Sequence, residues 1–296
     1  MKKESKPRQG LILDMSKIKA EVEKKLHVTE TFDDKTLWDG KYISTGITGF
    51  DELFERGIPK GANVIVAGSA GSGKTIFCLQ TLMHHARRGK KCLYMSFEEP
   101  EAQLIDHMRE FGWNPDEVIL SNNLKIKMFL TSDIYYDMQA GGRGVDAMIA
   151  NDSDSLLMDL KPLAITKTIG FKPDMVVLDS LTAIASSFMG REQSYRFYVE
   201  RLFRFFKGIG CTTFLITETP DKTDVYSPTG VEEFIADGVI VLYNLRNGNI
   251  RESGIEILKM RGSRHQKKIV AMQIDTKGIS VYPDLEIFGR VEKNNQ

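Results

Sequence analysis

One glycine-rich segment constrains the fold of this chain more than any other feature. The octapeptide Gly68-Ser69-Ala70-Gly71-Ser72-Gly73-Lys74-Thr75 satisfies the pattern GxxxxGK[ST]. A short β-branched run, Ala62 to Ala67, precedes it, and a stretch with helical spacing of apolar residues, Lys74 to Arg88, follows it. A strand, a glycine-rich turn and a helix in this order predict an α/β fold of the P-loop NTPase type.

The chemistry of this loop is phosphate binding. Glycines allow successive backbone N–H groups to converge on phosphate oxygens, and the following helix directs the positive end of its dipole at the same charge. We expect Lys74 to reach the β- and γ-phosphates of a nucleotide and Thr75 to offer its hydroxyl to Mg²⁺. All eight residues, 68 to 75, are therefore predicted to bind the cofactor.

The rest of the chain alternates strand-like and helix-like segments. Strands are predicted at 92–97, 124–130, 175–179, 213–217, 239–243, 255–260 and 269–274, and helices from Pro100 to Gly112, near 145–160 after a GGRG turn, and at 192–207. The central strands are apolar on both faces, which is typical of a parallel sheet covered by helices on both sides. The last strands have no helix between them and predict an antiparallel C-terminal extension. We assign residues 44–296 to one α/β domain.

The N-terminal segment, residues 1–43, is Lys-rich and poor in aromatic residues. Ile18, Val22 and Leu26 recur every four residues, so 16–27 is predicted to form an amphipathic helix. A solvated tail is the alternative interpretation.

Composition and charge argue against several classes of protein. The 296 residues carry 40 Lys plus Arg against 40 Asp plus Glu, without the basic excess that favours nucleic-acid or membrane-surface binding. Apolar stretches are too short for a spanning helix, and the charged N-terminus lacks a signal-peptide core, so we expect a cytoplasmic protein with no membrane partner. Cys78, Cys92 and Cys211 lie in apolar segments and are predicted to be buried, reduced thiols.

A phosphate site needs a second group to organise magnesium. Asp179 ends the apolar run MVVLD, at the edge where parallel sheets bind ligands, and is predicted to hold the metal together with Thr75. Ser180 is expected to assist through water.

Hydrolysis also needs a base that orients and deprotonates water. Glu98 and Glu99 directly follow the strand after the loop helix, so their carboxylates leave the sheet at its ligand-binding edge. Adjacent carboxylates repel each other there, which favours proton acceptance. We predict that one of the pair is the catalytic base, with Glu99 the first choice; the alternative is that Glu99 only starts the following helix.

A late basic turn has no obvious role within a self-contained site. Lys259, Arg261, Arg264 and His265 surround Gly262. One interpretation is that this turn faces the nucleotide of a neighbouring protomer, as arginine fingers do in phosphoryl transfer. The other is a solvated hairpin turn.

Several motifs in fixed order give the chain a family resemblance. They are STGITGFDELFERGIPKG at 44–61, GSAGSGKT at 68–75, SFEEP at 96–100, EFGW at 110–113, VVLDSLTAI at 176–184, FLITET at 214–219, GVEEFIADGVIVL at 230–242 and ILKMRGSRH at 257–265. Together they resemble the KaiC family of RecA-superfamily ATPases, and especially its single-domain archaeal members, over residues 44 to 275.

The resemblance implies a RecA-like core, ATP and Mg²⁺ bound at subunit interfaces, and a homo-hexameric ring. It matches Glu98 and Glu99 to the catalytic glutamates and Asp179 to the Walker B acid. It matches the basic turn, Lys259, Arg261 and His265, to residues that reach the neighbour's nucleotide.

Two departures limit what the resemblance implies. KaiC proper has two such domains, so a clock function is not transferred to this chain. The stretch 232–237 reads EEFIAD, which matches the type of domain that is not phosphorylated, so autokinase activity is not expected.

Three functions remain open at this point. The first is a regulatory ATPase ring that changes shape for an unidentified protein partner. The second is a nucleotide-dependent scaffold that hydrolyses little. The third is a RecA-like protein that binds single-stranded DNA, although the candidate loops at 131–145 and 218–229 contain only Arg143 and Lys222 as basic residues.

Overall fold

The computed structural model describes residues 40–131, 170–219, 226–247 and 250–287. The amphipathic helix predicted at 16–27, the GGRG turn and the helix predicted near 145–160 lie outside these residues. The domain boundary at residues 43 and 44 stays a prediction.

The described residues form a nine-stranded sheet in the order β11-β10-β9-β8-β3-β7-β6-β4-β5. Its strands are β3 (Asn63–Gly68), β4 (Cys92–Ser96), β5 (Leu124–Met128), β6 (Met175–Asp179), β7 (Thr212–Glu218), β8 (Gly238–Asn247), β9 (Ile250–Met260), β10 (Val270–Asp275) and β11 (Gly278–Glu286). A separate two-stranded ladder pairs β1 (Tyr42–Ile43) with β2 (Ile58–Pro59).

The helices connect the parallel strands. In the described ranges they are α1 (Lys74–Ala86), α2 (Glu101–Glu110), α3 (Pro115–Leu120), α4 (Leu181–Ser186), α5 (Glu192–Ile209) and α6 (Glu232–Ile235), and a 3₁₀ turn lies at Asp51–Leu53. The helix after the glycine-rich loop ends two residues earlier than the sequence indicated, and Gly89 (φ 76°) lies in the turn that follows.

Strands β8, β3, β7, β6, β4 and β5 are mutually parallel, as the apolar runs predicted. Alternate residues face opposite layers, because successive side chains of a strand point to opposite sides. Ile65 on β3 packs in the cluster that includes Leu202 and Phe206 of α5. On α1, Phe77 packs edge to face against Phe214 of β7, with ring centroids 6.4 Å apart. Helices therefore cover both faces of the sheet, as expected.

Strands β9, β10 and β11 extend the sheet with antiparallel pairing, which confirms the predicted C-terminal extension. The sequence did not reveal β11. Its side chains alternate between buried and partly exposed, and Pro283 interrupts the apolar pattern. Besides its ladder with β10, β11 is tied to α1, where the Gln80 side chain accepts a hydrogen bond from Ile279 N at 2.7 Å and donates one to Ile279 O at 3.2 Å.

All three cysteines are buried and free, as predicted. Within the described part of the chain, helices long and apolar enough to cross a membrane are absent.

Candidate functional site

The glycine-rich loop joins β3 to α1 at the carboxyl edge of the parallel strands. Gly71 (φ 73°) and Gly73 (φ 98°) have left-handed backbone conformations that other residues rarely adopt. Gly73 precedes α1 and has no side chain to cap it, so N–H groups of the first helical turn are free to bind a ligand. A Cβ at Gly73 would lie 2.6 Å from Ile274 Cδ1, because the β10–β11 hairpin packs against the loop.

The Lys74 side chain lies along the loop. Its Nζ donates a hydrogen bond to Ser69 O at 2.9 Å and lies 3.9 Å from Glu218 Oε1 at the end of β7. Burial lowers the pKa of Lys74, and the carboxylates of Glu218, Asp179 and Glu98 oppose that shift. The loop therefore holds a partly desolvated cation, the group that the β- and γ-phosphates of a nucleotide require.

Asp179 ends β6 beside the loop. Its Oδ2 accepts hydrogen bonds from Thr75 Oγ1 at 3.2 Å and from the Tyr94 hydroxyl. The pKa of Asp179 is raised to about 6, mainly by burial; the nearby carboxylates of Glu98 and Glu99 contribute to the rise, and the two hydrogen bonds oppose it. The threonine and aspartate predicted to share a metal are thus brought together, although the sequence gave no reason to single out Tyr94.

The segment that carries Glu98 and Glu99 is fixed by its backbone. Phe97 N donates to Asp179 O at 2.6 Å, which joins the ends of β4 and β6. The Ser96 hydroxyl accepts from Glu99 N at 2.9 Å and donates to Glu99 O at 2.6 Å. Both glutamates therefore leave the sheet beside the loop, as the sequence predicted.

The two glutamate side chains have different partners. Glu98 Oε1 accepts a hydrogen bond from the Ser180 hydroxyl, which also caps α4 by accepting from Ala183 N at 3.0 Å. Glu99 Oε2 instead faces His107 Nδ1 on α2 at 3.5 Å. Ser180 thus contacts Glu98 directly, whereas the sequence interpretation gave it a role through water. His107 carried no signal in the sequence.

The basic turn after β9 lies at the amino end of the parallel strands, opposite the end that carries the glycine-rich loop. Gly238, the first residue of β8, pairs with both Val64 near the start of β3 and Met260 at the end of β9. The phosphate-binding loop follows Gly68, about 13 Å further along β3 at 3.3 Å per residue. Lys259 and Arg261 are therefore separated from the loop of their own chain by most of the height of the sheet.

Within the chain, the two cations bind backbone carbonyls around the end of α6. Lys259 Nζ donates to Glu233 O at 2.8 Å and to Ala236 O at 2.7 Å, and the Arg261 guanidinium donates to Phe234 O at 2.7 Å. Burial lowers the pKa of Lys259, and the positive charge of Arg261 adds to that effect. Arg261 remains exposed, so a second bonding partner can reach it.

His265 occupies a different environment from the two cations. The backbone of His265 pairs with Phe54 in an isolated antiparallel bridge, and the ring Nδ1 lies 3.3 Å from Ser263 O. Its Nε2 is buried and has no hydrogen-bond partner among the described residues.

A parallel sheet with a glycine-rich loop, a buried lysine and a threonine–aspartate pair at its carboxyl edge defines the P-loop class of α/β proteins. The family model described as "ATPase: KaiC" matches residues 43–286. The chain belongs to this KaiC ATPase family.

Individual relatives agree with this assignment. The circadian clock oscillator protein KaiC of Parasynechococcus marenigrum (strain WH8102) is 32% identical over 246 residues, which are 81% of this chain and 44% of that protein. The circadian clock protein KaiC3 of Synechocystis sp. (strain ATCC 27184 / PCC 6803 / Kazusa) is 34% identical over 245 residues, 81% of this chain and 45% of that protein. The chain thus spans about half the length of the curated relatives it matches.

A solved structure supports the fold. The crystal structure of a KaiC-like protein from the hyperthermophilic archaeon Pyrococcus horikoshii OT3 superposes with a TM-score of 0.65 at 30% identity. The match covers 82% of this chain and 99% of that one. The RecA-like architecture expected from the sequence is therefore confirmed.

The residues present fit a nucleoside triphosphate and Mg²⁺. Gly71 is exposed and a Cβ there would meet nothing within 4 Å, so the loop is open to a ligand from solvent at that point. Ser72 Oγ is buried without a hydrogen-bond partner in the described ranges. Thr75 and Asp179 supply the hydroxyl and carboxylate oxygens that Mg²⁺ prefers.

Proposed function

We propose that this chain binds ATP with Mg²⁺ and hydrolyses it, in a homo-hexameric ring with a regulatory or signalling role toward a protein partner in the cytoplasm. The observation that carries the proposal is the convergence of Lys74, Thr75, Asp179 and the two glutamates at one edge of the sheet. The whole of residues 44–296 is proposed to act as the ATPase domain, with 1–43 as an extension.

Each residue has a defined task in this proposal. Loop N–H groups and Lys74 bind the phosphates, with Lys74 exchanging its bond to Ser69 O for bonds to the nucleotide. Thr75 and Asp179 hold Mg²⁺, which when bound neutralises charge on the phosphate oxygens. Glu99 or Glu98 accepts the proton of the attacking water.

The site is proposed to be completed by a neighbouring subunit. Lys259 and Arg261 lie on the opposite edge of the sheet from their own loop, which supports an action on the next protomer's nucleotide rather than on their own. His265, on the same turn, is proposed to lie at that contact.

The proposal is tested by phosphate release at saturating ATP and Mg²⁺. Turnover by the wild type is expected, together with a fall of roughly 10² or more in Glu99→Gln, which keeps the shape of the side chain but cannot accept a proton. Lys74→Ala serves as the inactive reference. Unimpaired hydrolysis by the Glu98→Gln/Glu99→Gln double variant would remove both residues from the mechanism.

Assembly is measured separately by size-exclusion chromatography with light scattering, with and without ATP and Mg²⁺. A nucleotide-dependent ring without phosphate release would favour the scaffold function over the ATPase. A salt-sensitive shift of labelled single-stranded DNA would favour the RecA-like alternative.

A further inference from the structure

A histidine on α2 contacts the carboxylate of Glu99. His107 Nδ1 lies 3.5 Å from Glu99 Oε2, and both side chains are partly exposed, at 37% and 30%. Glu99 Oε2 itself is buried and makes no hydrogen bond with any described residue, and His107 Nδ1 lies within ion-pair distance of it. The contact spans two turns of chain, because Glu99 precedes α2 and His107 lies near its end.

The surroundings of Glu99 make this contact significant. Glu98 and Glu99 both raise the pKa of Asp179, so three carboxylates share the site. The charge of Lys74 acts on Glu218, Asp179 and Glu98. A buried carboxylate oxygen next to like charges is costly unless a positive or hydrogen-bonding group faces it. Among the residues that the structure describes, His107 is the group that faces Glu99.

Arg109, near this end of α2, is paired with two carboxylates other than Glu99. Arg109 donates to Asp106 at 2.9 Å and to Asp116 at 2.7 Å. Glu98 is held by Ser180. The two glutamates are thus anchored separately, Glu98 from α4 and Glu99 from α2.

We propose that His107 is a positioning residue for Glu99. Its imidazole holds Oε2, which fixes the carboxylate plane and leaves Oε1 to accept a proton from water. A base held in one orientation reacts faster than one free to rotate, because the correct geometry is already formed before the reaction. This inference rests on the proposed ATPase function, and His107 does not touch the nucleotide in it.

The test compares steady-state and single-turnover ATP hydrolysis in matched variants. His107→Ala is expected to lower kcat about 10-fold while KM and nucleotide affinity stay unchanged, the pattern of an interaction that acts only on the chemical step. His107→Asn, which keeps a polar nitrogen near the position of Nδ1, is expected to recover most of the loss. Gln103→Ala, an exposed change on the same helix, is the control.

A double-mutant cycle separates positioning from a structural effect. In a Glu99→Gln background, His107→Ala is expected to cause no further loss, because the group that it orients is already disabled. Single-turnover measurements with excess enzyme reach the slow rates of these variants. An equal loss in both backgrounds, a raised KM with unchanged kcat, or no rescue by Asn would overturn the inference.

The measurements distinguish a failure of the proposed ATPase function from a failure of the role given to His107. If the wild type releases no phosphate, the ATPase function falls and the role of His107 falls with it. If the wild type is active, Lys74→Ala is inactive and His107→Ala behaves as the wild type, only the role of His107 is overturned.

Discussion

Thr75 Oγ1 donates a hydrogen bond to Asp179 Oδ2 at 3.2 Å, although 104 residues separate the two in the chain. Thr75 lies in the first turn of α1, after β3, and Asp179 ends β6, and β7 lies between β3 and β6 in the sheet. The contact therefore crosses the end of β7, where Glu218 approaches Lys74. Three parallel strands thus converge on one site, and the predictions below test how its members cooperate.

The phosphate-binding lysine is the first of these members. Lys74→Ala removes a buried cation and is expected to weaken ATP binding by roughly 10- to 100-fold, the range for losing a hydrogen bond to a charged group. Titration calorimetry measures the affinity. Lys60→Ala, which removes an exposed lysine before β3, is the matched control and should bind ATP as the wild type does. Equal affinity in both variants would contradict the role of Lys74.

Metal-dependent binding should vary with pH through Asp179. Its pKa is raised to about 6, so the carboxyl is ionised above that pH and protonated below it. Since Mg²⁺ binds the ionised form, the gain in ATP affinity that Mg²⁺ provides should shrink about 10-fold for one pH unit below 6. Fluorescent-nucleotide titrations at pH 5 and pH 7.5, with and without Mg²⁺, measure this gain.

Asp179→Asn is the control for that titration. It cannot ionise, so its smaller Mg²⁺ effect should not change between the two pH values beyond the change due to ATP's own phosphates, which both proteins share. A Mg²⁺ effect in the wild type that is equal at pH 5 and pH 7.5 would remove Asp179 from the metal site.

The basic turn should act on a neighbouring subunit. Arg261→Ala is expected to lower turnover by up to about 10³-fold while ATP still binds to the loop of the same chain. Mixing Arg261→Ala with inactive Lys74→Ala should restore part of the activity, because one subunit then offers an intact loop and the next an intact turn. If subunits exchange and the mixture is no more active than its components, the turn acts in its own chain or not at all.

The C-terminal hairpin should stabilise the loop helix through one side chain. Gln80→Ala removes both hydrogen bonds to Ile279 and leaves the backbone groups of that residue without these partners. We expect the free energy of unfolding to fall by about 1–3 kcal/mol. Urea denaturation measures the change, and Gln103→Ala on the exposed side of α2 is the control. Equal stability of the two variants would show that these two hydrogen bonds do not stabilise the fold.

Predictions from the sequence succeeded where the signal was local. Positions 71 and 73 have left-handed backbone conformations, which glycine adopts without strain, and both positions hold glycine. The strand MVVLD has the predicted bounds, and Glu98 and Glu99 follow β4 as expected. The strand β11 was missed because its pattern is interrupted by Pro283 and because its position depends on Gln80 of α1.

The sequence alone therefore determined the loop, the order of the strands from β3 to β10, and the end of the parallel strands at which the acidic residues emerge. These features follow from glycine conformation and from the spacing of apolar residues, which act over a few positions. Only the tertiary structure decided the partners: Tyr94 with Asp179, His107 with Glu99, and the basic turn at the edge remote from its own loop. Such contacts depend on strand order and register, which bring together residues that no local pattern connects.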